Sequence, residues 1–202
     1  MTPRLHKLAW GNAGIAETVQ HMWRYILGYD PDRGTAAALG LIRGQAEEIL
    51  REYGVQFGPN ALHAAAVHDW VQEHLAYVGD HVLIEEIRAP AQLLLEIRDR
   101  GNAMGDCDDF IILEAALDVA IGIPVRICTS STRDDGEFDH TYLIVDTTDG
   151  AVVADPILKD AQRRPLPFGA HVPPEALTNY EEADMPTSLE ALGVDAMEGA
   201  VR

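Results

Sequence analysis

Cys107, His140 and Asp155 follow one another along the chain, and these are the three side-chain types from which a thiol-based acyl-transfer site can be built. A thiol nucleophile needs a base within hydrogen-bond reach. That base needs an acceptor on its other ring nitrogen to fix its orientation. Cys107 lies in Gly105-Asp106-Cys107-Asp108-Asp109, followed at once by the apolar run Phe110-Ile111-Ile112-Leu113. A polar turn opening straight into a buried helix puts the cysteine at or next to the first helical position. Asp106 has the chemistry of an N-cap, because its carboxylate accepts from a first-turn amide. Asp109, three residues on, is placed to reach back as an acidic version of the capping box. A thiol at that position meets the positive end of the helix dipole and unpaired N–H groups. Both favour thiolate, and the same amides can hold an oxyanion. The plain alternative is a small buried cysteine beside a well-capped helix, since free cysteine is commonly buried.

The acidic neighbours work against the thiolate. Asp106, Asp108 and Asp109 surround Cys107, and nearby negative charge disfavours a second anion. Stabilisation by a helix terminus is typically ~0.3–1 kcal/mol, which close carboxylates can cancel. An imidazolium partner, His140, then has to carry most of the activation. Capping is the role favoured for Asp106, and Asp108 is left without one. Cys128, between Ile127 and Thr129 on an alternating stretch, reads as an inert packed thiol.

Whether His140 and Asp155 meet depends on a hairpin. A four-residue turn over 146–149 sets Val145 opposite Gly150 and carries on to His140 opposite Asp155. Directly opposed residues share a face of the sheet about 5 Å apart at Cβ. A tight two-residue turn at Asp149-Gly150 would instead set Ile144 opposite Asp155. The functional reading therefore requires the looser turn.

The elements that must position these residues follow from periodicity. Ile15, Val19, Met22, Trp23 and Ile26 recur at helical spacing over 15–27, stopped by Gly28. After a turn at 30–34, a helix over 35–53 carries Leu39, Ile42, Ala46, Ile49 and Leu50 on its inner face. Pro59-Asn60 opens a third helix running to about 77. Residues 1–14 read as an irregular lead-in and 78–88 as an extended connection. Pro90 opens a helix to about 100, and 101–105 delivers the chain into the cysteine turn. The helix over 107–121 is apolar on nearly every side, broken only by Glu114 and Asp118, four apart on one face. That pattern predicts a central helix surrounded by other elements. Gly122 ends it and Pro124 forbids its continuation. Strands follow over 125–129, 140–145 and 151–154, with a polar loop over 130–138. From 161 on there is little periodicity, five prolines and a strongly acidic composition. That predicts an extended arm making few contacts with the core, with at most a short helix over 188–192.

His63, His68 and His74 lie on the third helix with gaps of five and six, which miss the i,i+4 spacing of paired helical metal ligands. They read as surface or core histidines. No metal and no cofactor is called for.

At 202 residues, 47% hydrophobic and 24% charged, the chain suits one domain, or one domain with an extension. Its 33 acidic and 15 basic residues give a net charge of −18. That argues against nucleic acid and anionic membrane surfaces as partners. No apolar segment follows Met1-Thr2-Pro3-Arg4, and no apolar run approaches membrane-spanning length. The expected setting is the cytoplasm, or an assembly such as a virion built there, with both cysteines reduced.

Four motifs taken in order resemble the transglutaminase-like superfamily over about residues 75–160. They are Gly105-Asp-Cys-Asp-Asp-Phe opening a helix, Gly122-Ile-Pro-Val-Arg closing it, Asp139-His-Thr-Tyr on a strand, and Val153-Ala-Asp-Pro on the next. The resemblance implies an α+β, papain-like core of central helix against antiparallel sheet. Cys107 would be nucleophile, His140 base and Asp155 orienter. It divides the chain into an N-terminal helical portion (1–77), a catalytic core (78–160) and the acidic arm (161–202). The helical portion also resembles transglutaminase-like proteins of tailed phages. The second oxyanion donor that the superfamily supplies from upstream has no identified counterpart, Gln92 being a guess.

The leading expectation is a cysteine hydrolase or acyltransferase acting on amide bonds of a protein or peptide, with water or an amine as acceptor. The rival is a catalytically silent component of an assembly, contacting partners through the arm. A binding module that uses the cleft without turnover is a third reading. Intact Cys, His and Asp in order favour chemistry.

Overall fold

The run from Phe110 to Leu117 accounts for the architecture. The computed structural model describes residues 6–8, 14–56, 61–79, 85–131, 137–170 and 179–186. Helix α5 (Cys107–Ala120) is buried on every side from Asp108 to Asp118 because it separates two cores. Ile111, Ile112 and Ala115 face one core, together with Met22, Trp23 and Ile26 of α1 (Ile15–Ile26) and the sheet residues Ile127, Leu143 and Val145. Phe110, Leu113, Ala116 and Leu117 face the other, formed with α2 (Thr35–Glu52), α3 (Ala61–His74) and α4 (Pro90–Arg100). Each fully buried Leu or Ile contributes about 1.5–3 kcal/mol over its exposed state, so a helix apolar all round is stable only as such a divider.

The sheet lies on one side of α5. Strands β5 (Val125–Ser131), β6 (His140–Thr147), β7 (Gly150–Ala154) and β8 (Asn179–Asp184) pair in the order β7-β6-β5-β8, all antiparallel. Two short ribbons complete the described fold. β1 (His6–Leu8) pairs antiparallel with β3 (Glu85–Ile87), and β2 (Leu75–Tyr77) pairs parallel with β4 (Ala103–Gly105). The molecule is thus mixed α+β with an antiparallel sheet.

Local signals explain most boundaries. Pro90 occupies the first turn of α4 and Gly101 ends it at φ 84°. Gly28 follows α1 at φ 91°, where an added Cβ would sit 2.5 Å from the Leu39 side chain, so both backbone and packing demand glycine.

Several expectations need correction. The lead-in contributes a strand, β1, because its backbone finds β3 within the stretch read as an extended connection. The third helix stops at His74, and Leu75-Ala76-Tyr77 becomes β2 because the 103–105 backbone is there to pair with it. The arm is joined to the core. Its β8 pairs with β5 over six positions, Leu166 accepts from Gln72 Nε2 at 2.8 Å, and Phe168 packs on the sheet-side core. The start at Pro59-Asn60 and the short helix over 188–192 lie outside the described residues.

Candidate active site

Asp106 caps α5. Its backbone is extended (φ −96°, ψ −163°) and Oδ1 accepts from the Asp108 amide at 3.2 Å. Cys107 is therefore the first helical residue, half-buried, with its thiol 3.9 Å from Asp108 Oδ1.

Asp109 does not reach back to close a capping box. It is buried at 3% exposure and turned toward Arg88, accepting from the backbone N at 3.2 Å, Nε at 3.1 Å and Nη2 at 2.8 Å. A guanidinium offers a planar fork that two short bonds to one carboxylate satisfy, and it prevails over the weaker cap. Arg88 also donates from Nη1 to Glu96 at 3.3 Å, and Glu96 accepts from Arg100 at 2.8 Å. Burial pushes the Asp109 carboxyl up to about 6, against the opposing pull of Arg88. The same clamp explains Gly105. A Cβ there would stand 2.6 Å from Asp109 Cβ and 2.9 Å from Arg88 Nη2. The three aspartates thus diverge in role: one caps, one is ion-paired, and Asp108 stays beside the thiol.

His140 and Asp155 meet, through a hairpin different from both anticipated. The turn is residues 148 and 149, with Thr147 opposite Gly150. Thr147 Oγ1 fixes it, donating to Gly150 O at 2.8 Å and accepting from Asp149 N at 3.2 Å, while Gly150 takes φ 123°. Continued past Leu143–Ala154, this register sets Asp155 opposite Tyr142, two residues from His140 and so on the same face. Diagonal neighbours on one face are within reach of long side chains. His140 Nε2 and Asp155 Oδ2 are 2.6 Å apart, the acid being 1% exposed. A carboxylate acceptor selects the Nε2–H tautomer, which turns Nδ1 into the nitrogen able to take a proton. The ring lies over Tyr142, 5.9 Å between centroids at 28°.

A short connection joins α5 to the sheet that carries this pair. Only residues 121–124 join α5 to β5, and α5 packs against both β5 and β6. A 14-residue helix spans about 21 Å and a seven-residue strand about 23 Å. β5 ends at Ser131. At that end Ser130 is paired with His140. The Gln92 amide donates to Asp32 at 3.4 Å.

Cys128 is fully buried, and burial followed by the charge of Glu182 pushes its thiol up to about 12, in keeping with an inert packed role. Sequence reasoning missed Arg88, although it is the only Lys or Arg between Arg51 and Arg98. It also missed a buried pair in which His68 Nδ1 meets Glu114 Oε1 at 3.0 Å. Burial pulls the His68 ring down, but the Glu114 charge and hydrogen bond prevail and raise it. Among the described residues no group of three His, Cys, Asp or Glu side chains is arranged to hold a metal ion. None of the described helices is long and apolar enough to cross a membrane.

No family model matches the chain, and no curated protein matches it. Among solved structures it is similar to a chain described as a "Putative Cysteine Protease" from Cytophaga hutchinsonii, with 17% identity and a TM-score of 0.41. The match covers 73% of this chain and 53% of that one, so this chain spans about half of its length. A similarity of that size carries no inference about chemistry, which has to come from the side chains described above.

Proposed function

We propose that the protein is a cysteine acyl-transfer enzyme of the papain- and transglutaminase-like type, acting on amide bonds of proteins or peptides. Cys107 is the nucleophile, His140 the base and Asp155 the orienter. The observation that supports this most is the 2.6 Å bond from His140 Nε2 to the buried Asp155.

In the first step Cys107 Sγ attacks the scissile carbonyl carbon. The C–S bond forms, the thiol proton passes to His140 Nδ1, and from there it goes to the leaving nitrogen as the C–N bond breaks. In the second step water or an amine attacks the thioester, its proton passes to His140, the C–S bond breaks and the thiol is restored. The Asp108 amide is engaged by the cap, so an oxyanion would be held by other amides of the first turn. Asp155 keeps the ring oriented and stabilises the imidazolium without taking the proton itself.

The test is the pH profile of Cys107 alkylation by iodoacetamide, read by peptide mass. Cys107 is expected to react well below the pH at which an ordinary thiol, with pKa ~8.5, does so. His140→Ala should push its labelling toward alkaline pH, and Asp155→Ala should do so less. An ordinary profile that His140→Ala leaves unmoved would overturn the enzyme reading and favour the silent assembly component.

A further inference from the structure

One side chain, Arg88, grips the backbone on both sides of Cys107. Two residues before the cysteine, a Cβ added to Gly105 would stand 2.9 Å from Arg88 Nη2, so the guanidinium lies against that glycine. Two residues after it, Asp109 takes the backbone N of Arg88 on Oδ1 at 3.2 Å, and Nε and Nη2 on Oδ2 at 3.1 and 2.8 Å. Both oxygens of the acid are engaged. Arg88 is itself held in place. Its neighbours Ile87 and Ala89 are buried in the sheet-side core, Pro90 opens α4 directly after them, and Glu96 accepts from Nη1 at 3.3 Å. A side chain fixed at its backbone and at its tip has little freedom left to lose when it fixes something else. Stability is a weak reason for the arrangement. Desolvation offsets most of the attraction within a buried ion pair, and apolar replacements of similar volume are often as stable. What the pair does supply is a defined geometry, because a planar fork meets a carboxylate in few ways. That geometry is imposed on the turn that carries the thiol.

Resting on the acyl-transfer reading, we infer that Arg88 is the positioning residue of the nucleophile. Through Asp109 and Gly105 it holds Cys107 and the first-turn amides of α5 in the alignment that acylation requires. Building a tetrahedral oxyanion needs sulfur and amide donors aligned together. Alkylation by iodoacetamide needs only the thiolate. Loss of Arg88 from a protein that still folds should therefore slow acylation more than alkylation. The remaining charged groups of the clamp and the turn are Glu96 with Arg100 on α4, and Asp106 and Asp108 at the start of α5. Removing Arg88 and Asp109 together takes away one charge of each sign and leaves these as they are.

The test compares acylation with alkylation of Cys107 in the same protein. Acylation is read as the p-nitrophenolate burst from p-nitrophenyl acetate, less the release seen with Cys107→Ala. The thiolate attacks the ester carbonyl, a C–S bond forms, and the C–O bond to p-nitrophenolate breaks. Dividing each burst rate by the iodoacetamide rate at the same pH cancels any change in thiol ionisation. The double variant Arg88→Met, Asp109→Leu strands no buried charge, so the fold is expected to survive. Its quotient should fall about tenfold or more, the scale on which small misplacements act at a reacting centre. Arg88→Lys keeps the charge without the fork and should fall about threefold. Cys128 staying unlabelled shows that each variant is folded, and Arg88→Lys decides the matter if the double variant does not fold. An unchanged quotient in the folded double variant overturns the positioning role and leaves the clamp purely structural. A quotient that Arg88→Lys leaves at the parent value shows that charge alone suffices and overturns the geometric role. A parent with no burst, and an ordinary alkylation profile that His140→Ala does not move, overturns the acyl-transfer reading and this inference with it.

Discussion

Asp109 and Asp118 lie nine residues apart on one helix, at 3% and 0% exposure, and meet opposite fates. Asp109 has Arg88 with three hydrogen bonds, two of them from the guanidinium. Asp118 has neither oxygen partnered, and its nearest acidic neighbour is Glu114 one turn back. Burial first and the Glu114 charge second raise the Asp118 carboxyl well above its ordinary value, whereas Asp109 is ion-paired. Beside the candidate nucleophile the fold brings in a cation from a distant loop. Within the helix bundle it leaves an acid whose two oxygens have no hydrogen-bond partner. The difference teaches that burial alone does not decide the charge of a carboxyl on α5. What decides it is whether a fixed donor reaches it.

Removing the cation is the most severe way to break this contrast. Arg88→Ala leaves Asp109 buried without its partner, and the loss of one member of a buried pair costs about 3–5 kcal/mol. Urea unfolding should show that loss. Asp109→Asn, which leaves Arg88 able to reach Glu96, should cost less. Equal, small effects for both variants would mean that the clamp does not hold the turn.

Gly105→Ala attacks the same clamp sterically. A Cβ at 2.6 Å from Asp109 Cβ and 2.9 Å from Arg88 Nη2 must push one of them aside, and overpacking of this kind typically costs about 1–3 kcal/mol. If the clamp positions Cys107, iodoacetamide labelling of Cys107 should also change in the folded variant while Cys128 stays protected. A fully tolerated alanine would show that the turn relaxes without strain.

The contrast also marks what was legible from sequence. A helix apolar all round, interrupted only by Glu114 and Asp118, announces a central element, and its role as divider between two cores follows from that pattern. The cap and the position of Cys107 follow from Asp106 and the apolar run after it. The hairpin was legible in kind but one pairing off. Its turn is fixed by the Thr147 hydroxyl, a local bond that alternation of apolar residues does not encode. Strand β8 was hidden because Asn179–Asp184 holds three acids and little apolar alternation. As an edge strand it is ordered by backbone pairing and by the Arg126–Glu182 ion pair. Arg88 was hidden because nothing in a one-dimensional pattern relates it to an acid 21 residues later.

The smallest effect expected belongs to Asp118, and its sign separates the two acids most sharply. Leucine has nearly the shape of aspartate but leaves no unpaired oxygen, so Asp118→Leu removes a buried polar group without opening a cavity. Unsatisfied buried groups cost about 1–3 kcal/mol, and replacing them by apolar isosteres is often neutral or stabilising. The variant should therefore be as stable as the parent or up to about 2 kcal/mol more stable at neutral pH. The pH dependence follows from linkage. A carboxyl whose folded-state pKa lies above its unfolded value favours the folded state most below the unfolded value of 3.8, and that contribution is lost as pH rises through the folded pKa. The parent should thus lose stability relative to Asp118→Leu as pH climbs from about 4, with the two converging at acid pH, a difference read from paired urea curves. A leucine variant that is less stable at every pH, with no change in slope, would show that the Asp118 carboxyl is held by a partner. It would then belong with Asp109.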